Sequence, residues 1–314
     1  MILVRAAGLA AFLGGILLAA GGNIVGDVRA SVDARNFTLA ERQIQSYRAA
    51  AGVTEEMLEA LSWMARGLLD NKLYDRADAC ANETQQLSMD LLKRTGKGGA
   101  PLVTAMGAAI EVHALVLAAR GRRAEAMAYL KTESATWNGS PIAARIQKNV
   151  NLLSLEGKPA PNLDVSHWLG TRPLALAELK GHPVLLFFWA HWCGDCKAEV
   201  PILAHLMATF GPRGLVLVGP TQVYGYTPAG DAAPEAETLY IDQVRRQYYA
   251  ALGNMPVPLS TANFERYGCS TTPTLVLLDG AGSVRLYHPG AMAYDALAAQ
   301  VATVLGKGGR GARP

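Results

Sequence analysis

The sequence predicts an α/β domain, with a sheet covered on both faces, in its second half, and an all-helical region before it. Three continuous apolar runs have the length of β-strands, with two helical stretches between them: Val184–Trp189, 194–210, Leu215–Val218, 236–252 and Thr274–Leu278. Apolar strands that alternate with helices are typical of a sheet buried between helical layers. Half of the 314 residues are hydrophobic, so the chain is long and apolar enough for about two domains.

Residues 31–155 are predicted to be all-helical, because apolar residues recur there at helical spacing. A short segment also repeats: Arg76–Ala81 is echoed by Arg123–Ala128, and each copy follows a long helical stretch and a polar turn. This pattern resembles the helical hairpins of tetratricopeptide-type repeats, where alanines let two helices approach closely. An ordinary alanine-rich bundle is the alternative. Either form would serve as a docking or dimerisation module.

A boundary between the two regions is expected at Gly157–Pro161, where two prolines interrupt the helical pattern. We therefore divide the chain into a helical module at 31–155 and an α/β domain at 156–306. The basic, glycine-rich tail at 307–314 is expected to be disordered.

The N-terminal segment, residues 1–30, is predicted to be a signal peptide or a membrane anchor. Arg5 precedes an uncharged apolar stretch, and Val28–Ala30 offers a small-residue cleavage site. If it stays uncut, the segment 6–26 is long enough to anchor the chain. We expect an extracytoplasmic protein, periplasmic or secreted, with no second membrane span after Gly26; a buried helix of a cytosolic protein is the alternative.

The net charge of the chain argues against one class of partner, nucleic acid, and says little about others. Its formal net charge is +3, and no strongly basic or acidic block stands out. We therefore expect no nucleic-acid partner.

The cysteine pattern predicts a redox site. Cys193 and Cys196 form a C-x-x-C at the junction of a buried strand and a helix, and such a pair can close a disulfide within the first helical turn. The helix start favours a thiolate on the first cysteine. We expect Cys193, as the more exposed thiol, to attack a substrate disulfide and Cys196 to resolve it. Half of a zinc site is the alternative, but a second C-x-x-C is missing, so we expect no metal.

Four segments resemble one known family. Trp189–Cys196 (WAHWCGDC) is similar to the thioredoxin superfamily signature, and its flanks resemble the extracytoplasmic TlpA/ResA-like branch. Three further matches to that branch are Gly157–Pro161, Leu179–Val184 and Tyr267–Thr274. The resemblance covers about residues 157–306 and leaves 31–155 outside.

The resemblance implies a thioredoxin-like fold and dithiol–disulfide exchange with protein substrates, without a bound cofactor or metal. It assigns Cys193 as nucleophile and Cys196 as resolving thiol, with Trp192 as a shield beside them. It also implies that Pro273 is a cis-proline packed against the pair, and that the Thr272 backbone pairs with an extended substrate segment. A membrane donor or another thioredoxin-like protein would have to reduce the pair again.

Two positions, Phe187 and Asp195, depart from the thioredoxin pattern. Phe187 stands where thioredoxins place a buried Asp, and Glu199 resembles the substitute of the ResA-like branch. If buried, Glu199 would have a raised pKa and act as base for Cys196; a solvated helix residue is the alternative. Asp195 is expected to raise the pKa of the Cys193 thiol, which favours a reductase.

The remaining candidates are a histidine, two single cysteines and a loop. His191 is expected to be solvent-exposed at the strand end. Cys269 is expected to be a small buried hydrophobe, with a third redox thiol as the alternative. Cys80 is either free or paired with it. The segment Gln222–Pro234 is expected to be a surface loop near the site, in a position to shape substrate choice.

The sequence thus predicts an exported reductase of protein disulfides. Two alternatives stay open: a disulfide oxidase or isomerase, and a non-catalytic helical adaptor with a vestigial redox domain. Besides protein substrates and a redox donor, the expected partners include the membrane, through the N-terminal tether.

Overall fold

The computed structural model describes residues 23–308 of the chain. Most of the predicted signal or anchor segment, 1–22, and most of the predicted tail, 309–314, lie outside the described residues. The first described helix includes Val28–Ala30, which the sequence offers as a cleavage site, and it extends to Asp33.

The described residues before Leu155 form seven α-helices. Their bounds are α1 Ile24–Asp33, α2 Phe37–Ala51, α3 Glu55–Asp70, α4 Tyr74–Thr95, α5 Ala100–Ala119, α6 Arg123–Thr136 and α7 Ala143–Ser154. Side-chain caps fix several starts; at α3, the Thr54 hydroxyl accepts the backbone N–H of Met57 at 3.2 Å.

The helices pair as hairpins, as the repeated segment predicts. Its two copies lie at the starts of α4 and α6, which pack against α3 and α5. Ala77 and Ala81 in α4 and Ala126 in α6 are fully buried, so small side chains bring the helices together. The predicted all-helical architecture is therefore confirmed.

Helix α5 is apolar along its whole length. Among the described helices it alone is long and apolar enough to cross a membrane, with a mean hydropathy of 1.9 over that stretch, of which 61% is buried. Composition alone therefore contradicts the expectation of no second candidate span after Gly26. Packing explains why α5 is apolar all round, because this helix contacts α3, α4, α6 and α7 at the centre of the helical region.

The described residues after Leu155 include the strands β1 Trp168–Leu169, β2 Val184–Phe188, β3 Val216–Val218, β4 Tyr226–Thr227, β5 Gly230–Asp231, β6 Val257–Pro258, β7 Thr274–Leu278 and β8 Val284–Pro289. Four of them form a mixed sheet in the order β3-β2-β7-β8. Strands β2 and β3 are parallel, whereas β7 runs antiparallel to both β2 and β8. Two-stranded pairs, β1 with β6 and β4 with β5, lie outside this sheet.

Helices cover both faces of this sheet. Their bounds are α8 Gly194–Ala198, α9 Val200–Phe210, α10 Pro234–Tyr248, α11 Thr261–Tyr267 and α12 Tyr294–Gly308. All five residues of β2 are buried; Leu185 and Phe187 belong to one apolar core and Leu186 and Phe188 to the other. This two-sided burial explains why β2 is apolar without alternation, and it confirms the predicted thioredoxin-like architecture.

Helix α7 joins the helical region to the sheet region. It packs on α11 and β8, and the Asn151 side chain donates to the carbonyl oxygen of Arg266 at 3.2 Å. Gly268, just after α11, lies directly on the backbone of α7 at Lys148. The loop that follows Gly268 leads to Pro273, so α7 supports one side of the predicted redox site.

Candidate active site

The two cysteines of the C-x-x-C form a disulfide at the start of α8. Cys193 is the N-cap residue of this helix, and the Cα atoms of Cys193 and Cys196 are 5.3 Å apart. Cys193 retains 3% exposure and Cys196 none. The predicted order of exposure holds, but the disulfide is far more covered than expected, because Cys193 Sγ lies 3.4 Å from the carbonyl oxygen of Thr272 on the facing loop.

The backbone around Cys193 is arranged to stabilise a thiolate. The N–H of Cys196 points at Cys193 Sγ from 3.0 Å. The backbone of Glu199 is itself helical and connects α8 to α9, so helical structure extends from the redox pair to Phe210. A free N–H and a helix start both favour negative charge on this sulfur. Asp195, in the same turn, is exposed.

A cis peptide bond lies opposite the disulfide. The bond joins Thr272 to Pro273, and the pairing of Phe188 with Thr274 brings this loop beside the end of β2. Pro273 is buried and Thr272 is partly exposed. The structure therefore brings Cys193, Thr272 and Pro273 together as the sequence predicts.

Trp192 lies at the surface next to the disulfide. Its side chain is 49% exposed, and its ring meets that of Tyr224 edge to face with the centroids 5.6 Å apart. A large exposed aromatic beside a reactive sulfur can contact an approaching substrate.

Glu199 is buried, so the structure excludes the alternative of a solvated helix residue. Its exposure is 1%, and Oε1 accepts the backbone N–H of Met292 at 3.2 Å. Burial raises the pKa of this carboxyl and the charge of Asp195 adds to the rise, whereas the bond from Met292 opposes it. Phe187 is fully buried against Tyr249 and offers no titratable group.

His191 contradicts the expectation of a solvent-exposed residue. It is 1% exposed, and Nε2 lies 3.1 Å from Oε1 of Glu237, which is fully buried. Sequence reasoning missed Glu237, because an acidic residue in the first turn of a helix usually faces solvent and the helix dipole. Only the tertiary structure brings α10 and its carboxylate to the end of β2.

The other two cysteines are free and buried. Burial raises the pKa of both the Cys80 thiol and the Cys269 thiol above the ordinary value. Cys269 thus occupies the buried position expected of it, and the structure has no Cys80–Cys269 pair. Within residues 23–308, no group of three or more His, Cys, Asp or Glu side chains is placed to hold a metal ion.

The fold and the site together define a thioredoxin-like domain with a C-x-x-C disulfide facing a cis-proline. Residues 157–222 match the profile of the AhpC/TSA family. The chain is 30% identical over 141 residues to the thiol:disulfide interchange protein DsbE of Xylella fastidiosa, a match that covers 44% of this chain and 64% of that relative. It is 30% identical over 131 residues to the thiol-disulfide oxidoreductase ResA of Bacillus subtilis, covering 41% and 64%. These comparisons confirm the resemblance predicted from the sequence.

The chain thus spans less than two thirds of the length of these curated relatives. Among solved structures, it is similar to a putative thiol:disulfide interchange protein DsbE from Chlorobium tepidum, at 26% identity and a TM-score of 0.36. That match covers 48% of this chain and 97% of the other.

Proposed function

We propose that this protein is a thiol–disulfide oxidoreductase that reduces disulfides of protein substrates. The observation that carries the proposal is the disulfide between Cys193 and Cys196 at a helix start, facing the Thr272 carbonyl. A site built only to stabilise the fold would not need an exposed aromatic beside this bond.

The exchange runs in two steps. In the reduced protein, the Cys193 thiolate attacks one sulfur of the substrate disulfide; a mixed disulfide forms and the other substrate sulfur leaves as a thiolate that takes up a proton. The Cys196 thiolate then attacks Cys193 Sγ, the mixed disulfide breaks, and the second substrate sulfur leaves as a thiolate. The substrate is reduced by two electrons and the Cys193–Cys196 disulfide forms. A donor dithiol must then reduce this bond.

Glu199 is proposed as the base for the second step. It lies one helical turn beyond Cys196, on the same side of the helix by spacing. Its raised pKa makes it a stronger base than an ordinary carboxylate. Trp192, Thr272 and Pro273 are proposed as the substrate-binding residues around the attacking sulfur.

Asp195 supports the direction of electron flow. This exposed carboxylate lies in the same turn as Cys193, and its charge opposes the stabilisation that the helix start and the Cys196 N–H give to a thiolate there. A less stabilised thiolate makes the reduced form a better electron donor. We therefore propose a reductase over an oxidase or isomerase.

We also propose that the protein works outside the cytoplasm, either tethered by the part of the apolar segment 6–26 that precedes α1 or released by cleavage. The apolar N-terminal stretch after Arg5 supports this location. The electron donor would then be a membrane protein or a second thioredoxin-like protein.

The reduction potential of the Cys193–Cys196 pair tests the proposal. The full-length chain would be equilibrated in graded dithiol buffers and its thiols trapped, with Cys196→Ser as the control that cannot close the disulfide. We expect a potential at or below about −270 mV, as for a reducing thioredoxin. A value near about −120 mV would make the protein an oxidant. Absence of a reversible disulfide would leave the adaptor alternative.

A further inference from the structure

The buried carboxylate of Glu237 fixes the loop beside the redox pair. Oε1 accepts the backbone N–H of Tyr224 at 2.6 Å, and Oε2 accepts that of Gly225 at 2.7 Å. His191 Nε2 lies 3.1 Å from Oε1. Hydrogen bonds to a charged acceptor in a dry environment are strong, and the loss of one partner leaves a costly unpaired group. The loop is therefore held at its base by two backbone hydrogen bonds to one side chain, which also contacts His191.

His191 connects this base to the active-site turn, since it precedes Cys193 by two residues. Its ring lies edge-on to three tyrosine rings: Tyr224, Tyr226 and Tyr240, with centroids 5.3 to 5.6 Å away. Burial is the main cause that lowers the pKa of this histidine, although Glu237 opposes the shift. A neutral imidazole whose Nε2 carries the proton can donate to the carboxylate and pack against the rings.

The loop beyond this base is a closed hairpin. Strands β4 and β5 pair across it, and the N–H of Ala232 donates to the carbonyl oxygen of Gly225 at 2.9 Å. The expected surface loop at 222–234 therefore has a defined shape.

The hairpin and the active-site turn each expose an aromatic ring. Trp192 is 49% and Tyr226 39% exposed. Tyr224 is less exposed; its ring is edge-on to that of Trp192, with the centroids 5.6 Å apart, and to that of Phe264 in α11, with the centroids 6.3 Å apart. We refer to Trp192, Tyr224 and Tyr226 as the aromatic wall.

Trp192 of the aromatic wall and the Thr272–Pro273 loop both lie next to the attacking sulfur. Trp192 is the residue before Cys193, while the Thr272 carbonyl lies 3.4 Å from Cys193 Sγ. A polypeptide whose backbone runs along Thr272 would place a side chain next to its reacting cysteine toward the aromatic wall.

We propose that the aromatic wall binds an apolar side chain adjacent to the reacting cysteine of a polypeptide substrate, and that His191 and Glu237 are the positioning residues that hold the wall. This inference rests on the proposed function and adds to it a substrate class: disulfides flanked by apolar or aromatic residues. Aromatic contacts add binding free energy beyond their buried area, and the uncharged rings offer no ion-pair partner to an acidic side chain.

The test compares two disulfide-linked peptides that differ only in the residue before the cysteine, Phe in one and Gly in the other. The full-length, pre-reduced chain reduces each peptide, and kcat and KM are measured separately. We expect kcat/KM to be about tenfold higher for the Phe peptide, a difference of about 1.4 kcal/mol. This difference should come from a lower KM, with kcat unchanged.

Variants separate the wall from its supports. Glu237→Gln leaves an N–H₂ group facing backbone N–H donors, and Tyr226→Ala removes an exposed ring; we expect both to reduce the tenfold preference to about twofold. Tyr226→Phe keeps the ring and should retain the preference. Leu39→Ala, at a 39% exposed leucine in α2 of the helical region, is the matched control and should also retain it.

The outcomes distinguish the two proposals. Exchange with both peptides at equal kcat/KM in the wild type would overturn the aromatic wall and leave the proposed function intact. A wild-type chain that exchanges with neither peptide nor a small aromatic disulfide would overturn the proposed function itself. If circular dichroism shows that Glu237→Gln does not fold, Tyr226→Ala still tests the proposal, since the Tyr226 side chain is at the surface. An unchanged preference for the Phe peptide in that variant would contradict binding at the aromatic wall.

Discussion

Gly268 lies so close to Lys148 that the two parts of the chain meet backbone to backbone. A Cβ at Gly268 would come within 2.6 Å of the carbonyl carbon of Gln147 and 2.7 Å of Lys148 Cα. The φ angle at Gly268 is 60°, in the left-handed region that favours glycine. This contact seats the start of the Thr272–Pro273 loop on α7, so the helical region supports one wall of the candidate active site.

Gly268→Ala is therefore expected to loosen this junction. The left-handed backbone costs an alanine about 1 kcal/mol, and overpacking adds about 1–3 kcal/mol, so the free energy of unfolding should fall by about 3 kcal/mol. Because the loop that carries Thr272 would shift, kcat/KM on a protein disulfide should fall as well. Chemical denaturation and a disulfide-reduction assay measure the two effects.

Gly157→Ala is the matched control for this prediction. Gly157 has a φ of 80°, yet a Cβ added there would meet nothing within 4 Å. An alanine at this position therefore incurs only the backbone cost of about 1 kcal/mol. Equal destabilisation by the two substitutions would contradict close packing at Gly268.

Glu199→Gln should separate catalysis from stability. The raised pKa of Glu199 means that the folded protein disfavours the ionised carboxylate. Above the pKa of the unfolded chain, about 4.3, the unfolded state ionises first, so the wild type loses stability as pH rises. A glutamine can still accept the N–H of Met292 and does not ionise. We expect its melting temperature at neutral pH to exceed that of the wild type, with a difference that vanishes in acid.

The same variant should resolve the mixed disulfide slowly. Loss of a positioned base costs about 100-fold in rate, so the mixed disulfide at Cys193 should accumulate in quenched samples analysed by mass spectrometry. The wild-type resolution rate should fall as pH drops through the raised pKa, and the variant should lack this limb. Identical pH profiles would contradict the role of base.

The sequence could predict the parts of the site that depend on residues close together in the chain. Cys193 and Cys196 are adjacent because they share one helical turn, and a Thr-Pro-Thr before an apolar strand marks the facing loop. Burial could not be predicted in the same way: Glu199 is buried by the loop before α12, and His191 by a carboxylate on α10. These contacts join residues far apart in the chain, which helical or strand periodicity does not relate.

The packing of helix α1 indicates that N-terminal cleavage does not occur within this helix. Ile24 and Val28 are 6% and 0% exposed and belong to the core of the helical region, and α1 packs against α3. A cut after Ala30 would remove both side chains, each of which contributes about 1.5–3 kcal/mol. A chain that begins at residue 31 should therefore be less stable than one that begins at Asn23.

Denaturation of the two truncated chains, side by side, measures this difference. If the chain that begins at residue 31 had the same denaturation midpoint as the longer one, residues 23–30 of α1 would contribute nothing to stability. N-terminal sequencing of the protein exported from cells adds a direct check, since we expect no mature terminus within Ile24–Asp33.

His191 should make the stability of the protein depend on pH in the acid range. Burial lowers its pKa and the charge of Lys197 adds to this, whereas Glu237 opposes it; the remaining neighbours are the rings of Tyr224, Tyr226 and Tyr240. Because the folded protein disfavours the imidazolium, the unfolded chain binds the proton first as pH falls below about 6.5. Stability is then lost by up to about 1.4 kcal/mol per pH unit until the folded-state pKa is reached.

His191→Gln provides the comparison, since its side chain can donate to Glu237 and does not titrate. Between pH 7 and pH 5, the wild type should lose more free energy of unfolding than this variant, as measured by urea denaturation at each pH. Parallel curves would mean that His191 titrates alike in the folded and unfolded chains. A wild type that gains stability in acid relative to the variant would mean that the ion pair with Glu237 outweighs burial, and His191 would then be charged at the base of the aromatic wall.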